Sequence, residues 1–162
     1  MPVIIDGYNL LWAIQYTDEN DSALTDLQMC FTLGRYFSKM GEVGEVVFDG
    51  TGPPDREQFF NIDGLDVTFV GFKTDADTVI ENKISANTDP KRLQIVTNDR
   101  RIKDAARRRK AESVDCGRFW KKVKKTLSSK KKEPEEPDSK KYGIGESETD
   151  MWMKYFGLDE DD

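Results

Sequence analysis

Val3-Ile4-Ile5-Asp6-Gly7-Tyr8-Asn9 opens on three apolar residues and stops at an aspartate and a glycine. A run of this kind reads as a short buried strand, and Asp-Gly as the turn that ends it. The form recurs twice. Glu45-Val46-Val47-Phe48 runs into Asp49-Gly50, and residues 93–97 run into Asn98-Asp99. Residues 66–70 and 113–115 are two further strand candidates. Helical patterns lie between them. In residues 24–40, Leu24, Leu27, Phe31 and Tyr36 or Phe37 recur at helical spacing, with Gly41 as the stop. Residues 75–86 carry Val79, Ile80 and Ile84 on one helix, and residues 100–109 and 117–127 form two basic helices. Residues 51–54 are a loop, followed by a short helix through Phe59 and Phe60. Strands separated by helices require parallel pairing through crossovers. The expected fold class is therefore α/β, a central, mostly parallel sheet flanked by helices. The strands are almost wholly apolar, which suits a sheet covered on both faces.

In such sheets ligands bind beyond the carboxyl ends of the strands. Asp6, Asp49 and Asp99 fall there, and Asp77 opens a helix in Thr74-Asp75-Ala76-Asp77. One strand-end aspartate usually caps the next helix. Four acids converging on one edge repel each other, and a divalent cation relieves that repulsion. The absence of any histidine points the same way. It removes Ser–His and Cys–His nucleophiles and His-ligated zinc or iron, leaving oxygen ligands and Mg2+ or Mn2+. Such an ion activates water and stabilises the leaving oxygen in phosphodiester cleavage. Gly7 is expected to supply a positive φ or a close ligand approach. Asn9 can orient a water or a phosphate, with helix capping as its plainer role. Asp75 and Glu81 lie near the site by spacing, Glu81 one helical turn after Asp77 and equally placed to be a solvated acid. The DADT string also matches a phosphatase signature, but that signature ends an apolar first strand, and Asp75 follows Gly71-Phe72-Lys73-Thr74.

The net charge of −6 conceals a segregation. Residues 100–132 hold 15 Lys and Arg against three acids, a local charge of +12 that leaves −18 elsewhere. Because the segment starts directly after Asp99, it is read as a phosphate-binding surface. Its candidate RNA-binding residues are Arg100, Arg101, Lys103, Arg107, Arg108, Lys121, Lys122 and Lys125. Phe119 and Trp120 interrupt it, and are expected to anchor the last helix in the core rather than stack on bases. The two cysteines do not suggest a disulfide framework or a structural zinc site. No apolar run approaches the ~20 residues of a membrane span. The start of the chain lacks a basic region ahead of its apolar stretch, so a cytoplasmic protein is expected.

Four blocks carry a resemblance. VIIDGYNLL at residues 3–11 resembles the opening motif of the NYN domain, a branch of the PIN-like nucleases, and most closely its bacterial YacP-like group. VVFDG at 46–50, DADTVIE at 75–81 and IVTNDRRI at 95–102 agree in order and spacing. The resemblance spans about residues 2–125, and it implies a PIN-like Rossmannoid fold and divalent-metal cleavage of RNA. By motif it implies Asp6, Asp49, Asp77 and Asp99 as metal-holding catalytic acids, with Asn9 in support. Asn98 stands where a serine is common. RNA is the implied partner, and the ribosome is a second for some relatives of this group. An RNA-binding adaptor on the same fold, with weak or no catalysis, is the alternative. The oligomeric state is left open.

The expected domains are a nuclease domain over 1–127, a charged flexible linker over 128–145, and a short amphipathic helix over 146–157. That helix would present Trp152 and Phe156 on one face to its own domain or to a partner.

Overall fold

The computed structural model describes residues 1–129. Apart from its first two residues, the linker expected over 128–145 lies outside the described residues, as does the helix expected over 146–157.

Five strands form one sheet: β1 (Val3–Asp6), β2 (Gly44–Phe48), β3 (Leu65–Phe69), β4 (Gln94–Val96) and β5 (Glu112–Val114), in the order β3-β2-β1-β4-β5. Every neighbouring pair is parallel. The expectation of a mostly parallel sheet thus sharpens to a wholly parallel one. The helices are α1 (Gly7–Thr17), α2 (Asp26–Met40), α3 (Ala76–Ala86), α4 (Arg100–Arg108) and α5 (Cys116–Ser128). Among the described residues, no helix is long and apolar enough to cross a membrane.

The strands alternate between two cores. Val3, Ile5, Val46, Phe48 and Val96 face a layer built with α1, α2 and α5. Ile4, Val47 and Ile95 face a second layer built with α3 and α4. Period-2 alternation with both faces buried explains why these strands read as continuous apolar runs. Phe119 and Trp120 are 1% and 4% exposed, core anchors as expected. Helix α2 starts on a capping box, in which the Thr25 side chain accepts from Gln28 N and the Gln28 side chain accepts from Thr25 N. It stops at Gly41, whose φ is +68°.

One element departs from expectation. Asp6-Gly7-Tyr8-Asn9 is not a turn; α1 begins at Gly7, directly after the strand, and buries Leu10, Leu11 and Ile14. Nor does Gly7 have a positive φ. A Cβ there would lie 2.4 Å from a ring carbon of Phe48, so the glycine is needed for close helix–strand packing. The local turn signal yields to the burial of one face of the helix that follows.

The strand order reverses between β1 and β4, since the chain fills β2 and β3 on one side of β1 before placing β4 on the other. That reversal opens a crevice at the carboxyl ends of β1 and β4.

Candidate active site

Asp6 ends β1 and stands at the N-cap position of α1, yet its side chain makes no cap hydrogen bond. It is 7% exposed. Its hydrogen bond comes from the Thr97 hydroxyl, which donates to Oδ2 at 3.3 Å. Burial pushes its carboxyl up to about 7, helped by the charge of Asp77 and then by those of Asp49 and Asp99, against the Thr97 bond. Asp6 is a buried acid within the electrostatic reach of three others.

The other three reach the same edge by different routes. Asp49 follows β2, and its Oδ1 accepts the Ala76 N–H at 2.6 Å, closing the N-terminus of α3 from the neighbouring strand. Asp99 caps α4, its Oδ1 accepting from Arg101 N at 2.8 Å and Ile102 N at 3.4 Å. The ordinary capping role therefore holds for Asp99, in part for Asp49, and not for Asp6. Asp77 is the second residue of α3. Burial raises its carboxyl above the usual range, and Asp99, Asp75 and Asp49 add to this while Arg101 opposes it. The structure thus brings together all four acids named from the sequence.

This donor set suits a hard divalent cation, being four carboxylates on one edge, where the charges of their neighbours hold the Asp6 and Asp77 carboxyls up. Asp6, Asp49 and Asp99 each use one oxygen in these bonds and keep the other free of donors among the described residues. As placed, no three acids or thiols among the described residues close around a point that would hold an ion by themselves.

Asn9 is committed at one end. Its Oδ1 accepts Asn98 N–H at 2.6 Å and the Cys116 thiol at 3.3 Å. The Asn98 Oδ1 in turn accepts Cys116 N–H at 2.8 Å. This knot ties the first turn of α1 to the β4–α4 turn and to the start of α5, and it leaves the Asn9 amide nitrogen as the group able to meet a substrate. It also gives Asn98 a role, as acceptor for the first N–H of α5. Asp75 caps α3 by accepting Thr78 N–H at 2.7 Å. Glu81 accepts from Arg101 through Nε at 3.0 Å and Nη2 at 2.6 Å, so it pairs with α4 rather than adding to the acid set.

The basic segment is continuous in sequence and divided in space. Helix α4 packs in the layer of α3, whereas α5 packs in the opposite layer with α1 and α2. Arg100 is exposed at the start of α4, beside Asp99. Arg101 is held by Glu81, Lys103 pairs with Asp115, and Arg107 lies 3.8 Å from Asp104. At 1.5 Å per residue Arg108 lies roughly 12 Å along the helix from Arg100. Lys121, Lys122 and Lys125 are exposed on α5. Lys124 does structural work instead, donating to Asp18 at 2.8 Å and to buried Asp21 at 3.1 Å, while the Trp120 indole also donates to Asp21 at 3.1 Å.

Two residues of the site escape sequence reasoning. Thr97, fully buried, donates to Asp6 and accepts Asp99 N–H at 3.0 Å. Cys116 completes the Asn9 knot. A hydroxyl two residues before a helix-capping aspartate is a turn signal that could have marked Thr97. Nothing local marks Cys116.

The YacP-like NYN domain family model matches residues 3–153. No curated protein matches the chain. Among solved structures, the crystal structure of Rae1 (YacP) from Bacillus subtilis is similar at 19% identity with a TM-score of 0.64, covering 96% of this chain and 94% of that one. A tryptophan-to-leucine mutant of the same protein aligns at 19% identity and a TM-score of 0.60, over 78% of this chain and 76% of that one. At this identity the likeness establishes a shared fold.

Proposed function

The chain belongs to the YacP-like NYN domain family, and from that premise we propose that it is a divalent-metal-dependent endoribonuclease. The observation that carries this is Asp6, a buried acid that caps no helix and whose carboxyl is held up by burial and by the charges of Asp77, Asp49 and Asp99. Strongly perturbed buried acids in a crevice cluster at sites where a cation or a reaction uses them. Asp6, Asp49, Asp77 and Asp99 would hold Mg2+ or Mn2+. When bound, the ion polarises the phosphate and lowers the pKa of water for in-line attack.

The chain's own residues supply the rest. The Asn9 amide nitrogen donates to a phosphate oxygen or to the attacking water. Arg100, at the start of α4, offsets phosphate charge. The N-termini of α1, α3 and α4 open on this edge and favour an anion there. Thr97 holds Asp6 in position. Exposed Lys121 and Lys122 extend the phosphate contacts along α5.

A second reading, an RNA-binding adaptor on the same fold, draws support from the open placement of the acids. Cleavage of an end-labelled RNA in Mg2+ or Mn2+ separates the two. The nuclease loses cleavage in excess chelator and in Asp6→Asn, and regains it in the parent when metal is restored. Cleavage that persists in chelator overturns the metal-dependent mechanism, and RNA binding without cleavage under any of these ions favours the adaptor.

A further inference from the structure

The large apolar side chains exposed on the described surface are Met1, Trp12, Tyr16, Met40, Val43, Phe60 and Phe72. Met1, Met40 and Val43 cluster where β1 and β2 begin. Phe72 is 88% exposed on the β3–α3 loop, and Trp12 is 57% exposed on α1.

Both rings stand on elements that the acids also use. Phe72 follows a backbone clip, in which Gly71 N–H donates to Gly50 O at 2.8 Å and Val70 N–H to Phe48 O at 3.0 Å. Gly50 and Gly71 have φ of +80° and +83°, which L side chains rarely adopt, so this clip depends on glycine. It fastens the Phe72 loop to the segment carrying Asp49, five residues before Asp77. Next to Phe72, Lys73 is exposed and makes no ion pair among the described residues. A ring beside an unpaired ammonium matches a base and its phosphate. On α1, Tyr8 packs on Phe48 with ring centroids 4.8 Å apart, and Trp12 stacks on Tyr8 at 6.0 Å and 20°. A ladder of rings therefore runs outward from the residue before Asp49 and ends on an open indole face. Isolated exposed rings are common and mean little; these two stand on braced elements, one beginning after Asp6 and one leading to Asp77.

We propose that Phe72 and Trp12 are base-stacking platforms on the two elements that lead to Asp77 and from Asp6, with Lys73 on the adjoining phosphate, and that they set which phosphodiester reaches the acids. This rests on the nuclease reading for its register but not for its binding.

The test is fluorescence anisotropy of a labelled single-stranded oligoribonucleotide in excess chelator, with Phe72→Ala, Phe72→Trp and Trp12→Ala. Each alanine variant should weaken binding on the order of tenfold, with an unchanged melting temperature for Phe72→Ala, whose ring is 88% exposed, and a small drop for Trp12→Ala, whose ring stacks on Tyr8. Phe72→Trp should restore affinity. An oligonucleotide with abasic sites at its centre should bind the parent and the alanine variants alike. Parent affinity in both alanine variants, a deficit that survives on the abasic strand, or a parent that binds no RNA overturns the proposal. A parent that binds through these rings but cleaves in no divalent ion overturns the nuclease reading and leaves this one standing. A parent that cleaves, with variants that bind equally well, does the reverse.

Discussion

The Thr97 hydroxyl donates to the Asp6 carboxylate from the neighbouring strand, at 3.3 Å, and the same oxygen accepts the backbone N–H of Asp99 at 3.0 Å. One buried side chain thus sets the position of one acid and the turn that carries another. The bond to Asp6 favours its charged form. Thr97→Val keeps the shape and removes both roles, so the Asp6 carboxyl should titrate at still higher pH. The expected result is cleavage lowered by roughly 10- to 100-fold near neutrality, with part of the loss recovered as pH rises. Thr97→Ser should restore activity. A pH–rate profile of Thr97→Val parallel to the parent's at every pH would leave the hydroxyl without this role.

Asp6 itself links activity to stability with an unusual sign. Its folded-state carboxyl titrates at about 7, above the ordinary 3.8. Between those values the folded chain keeps a proton that the unfolded chain has lost. Stability is therefore greatest at the acidic end of that window and falls as pH rises through it. At 1.36 kcal/mol per pH unit the difference is on the order of 4 kcal/mol at most. Asp6→Asn removes it. The variant should melt above the parent at pH 8 in chelator, converge with it near pH 4, and lose cleavage. Mn2+ should raise the parent's melting temperature at pH 8 and leave the variant's almost unchanged. Calorimetry across this range checks all three, and a variant that melts below the parent at pH 8 would count against a strained acid.

The sequence makes β1, β2 and β4 readable because strands buried on both faces leave unbroken apolar runs, and it makes Asp6, Asp49, Asp77 and Asp99 readable because each sits where such a run or a helix begins or ends. Helix α1 is lost to local chemistry. Asp6-Gly7 is a good turn pair, and only the packing of Gly7 on the ring of Phe48, from another strand, shows why a glycine starts a helix there. The links from Asn9 to Asn98 and Cys116 join residues 89 and 107 positions apart and leave no local pattern. The division of the basic segment is equally nonlocal, since a run of charge carries no sign of which face of the sheet its helices cover.

That division separates lysines that look alike. Lys121 and Lys122 are exposed, whereas Lys124 bonds to Asp18 and to Asp21, which is 4% exposed. Replacing Lys121 and Lys122 by Gln should weaken RNA binding and reduce its log–log salt slope by roughly 0.7 for each phosphate no longer neutralised, with no change in melting. Lys124→Gln should instead cost stability, on the order of 1 kcal/mol because the lysine is partly exposed and screened, as Asp21 loses its charged partner. Salt-dependent binding together with denaturant unfolding distinguishes the two. Equal loss of stability in both variants would show that Lys124 has no special place.

Gly7 offers the sharpest test of how packing sets the site. Alanine is worth up to about 1 kcal/mol over glycine in a helix interior, so sequence logic alone favours Gly7→Ala. The structure reverses the sign. The new Cβ would sit 2.4 and 2.5 Å from two ring carbons of Phe48. That ring is fully buried and packed against Tyr8, Phe59 and Phe69, so it cannot swing clear. Overpacking of this kind costs about 1–3 kcal/mol. The strain also falls between the two residues next to Asp6 and Asp49, so cleavage should drop further than the stability loss accounts for when measured well below the melting temperature. Gly117→Ala is the control: it lies on α5 with nothing within 4 Å of the added carbon. It should hold or raise the melting temperature and leave cleavage unchanged. Gly7→Ala that melts and cleaves like the parent would mean that α1 and β2 have more room than this packing allows, and that the spacing of Asp6 and Asp49 is not fixed by the contact between Gly7 and Phe48.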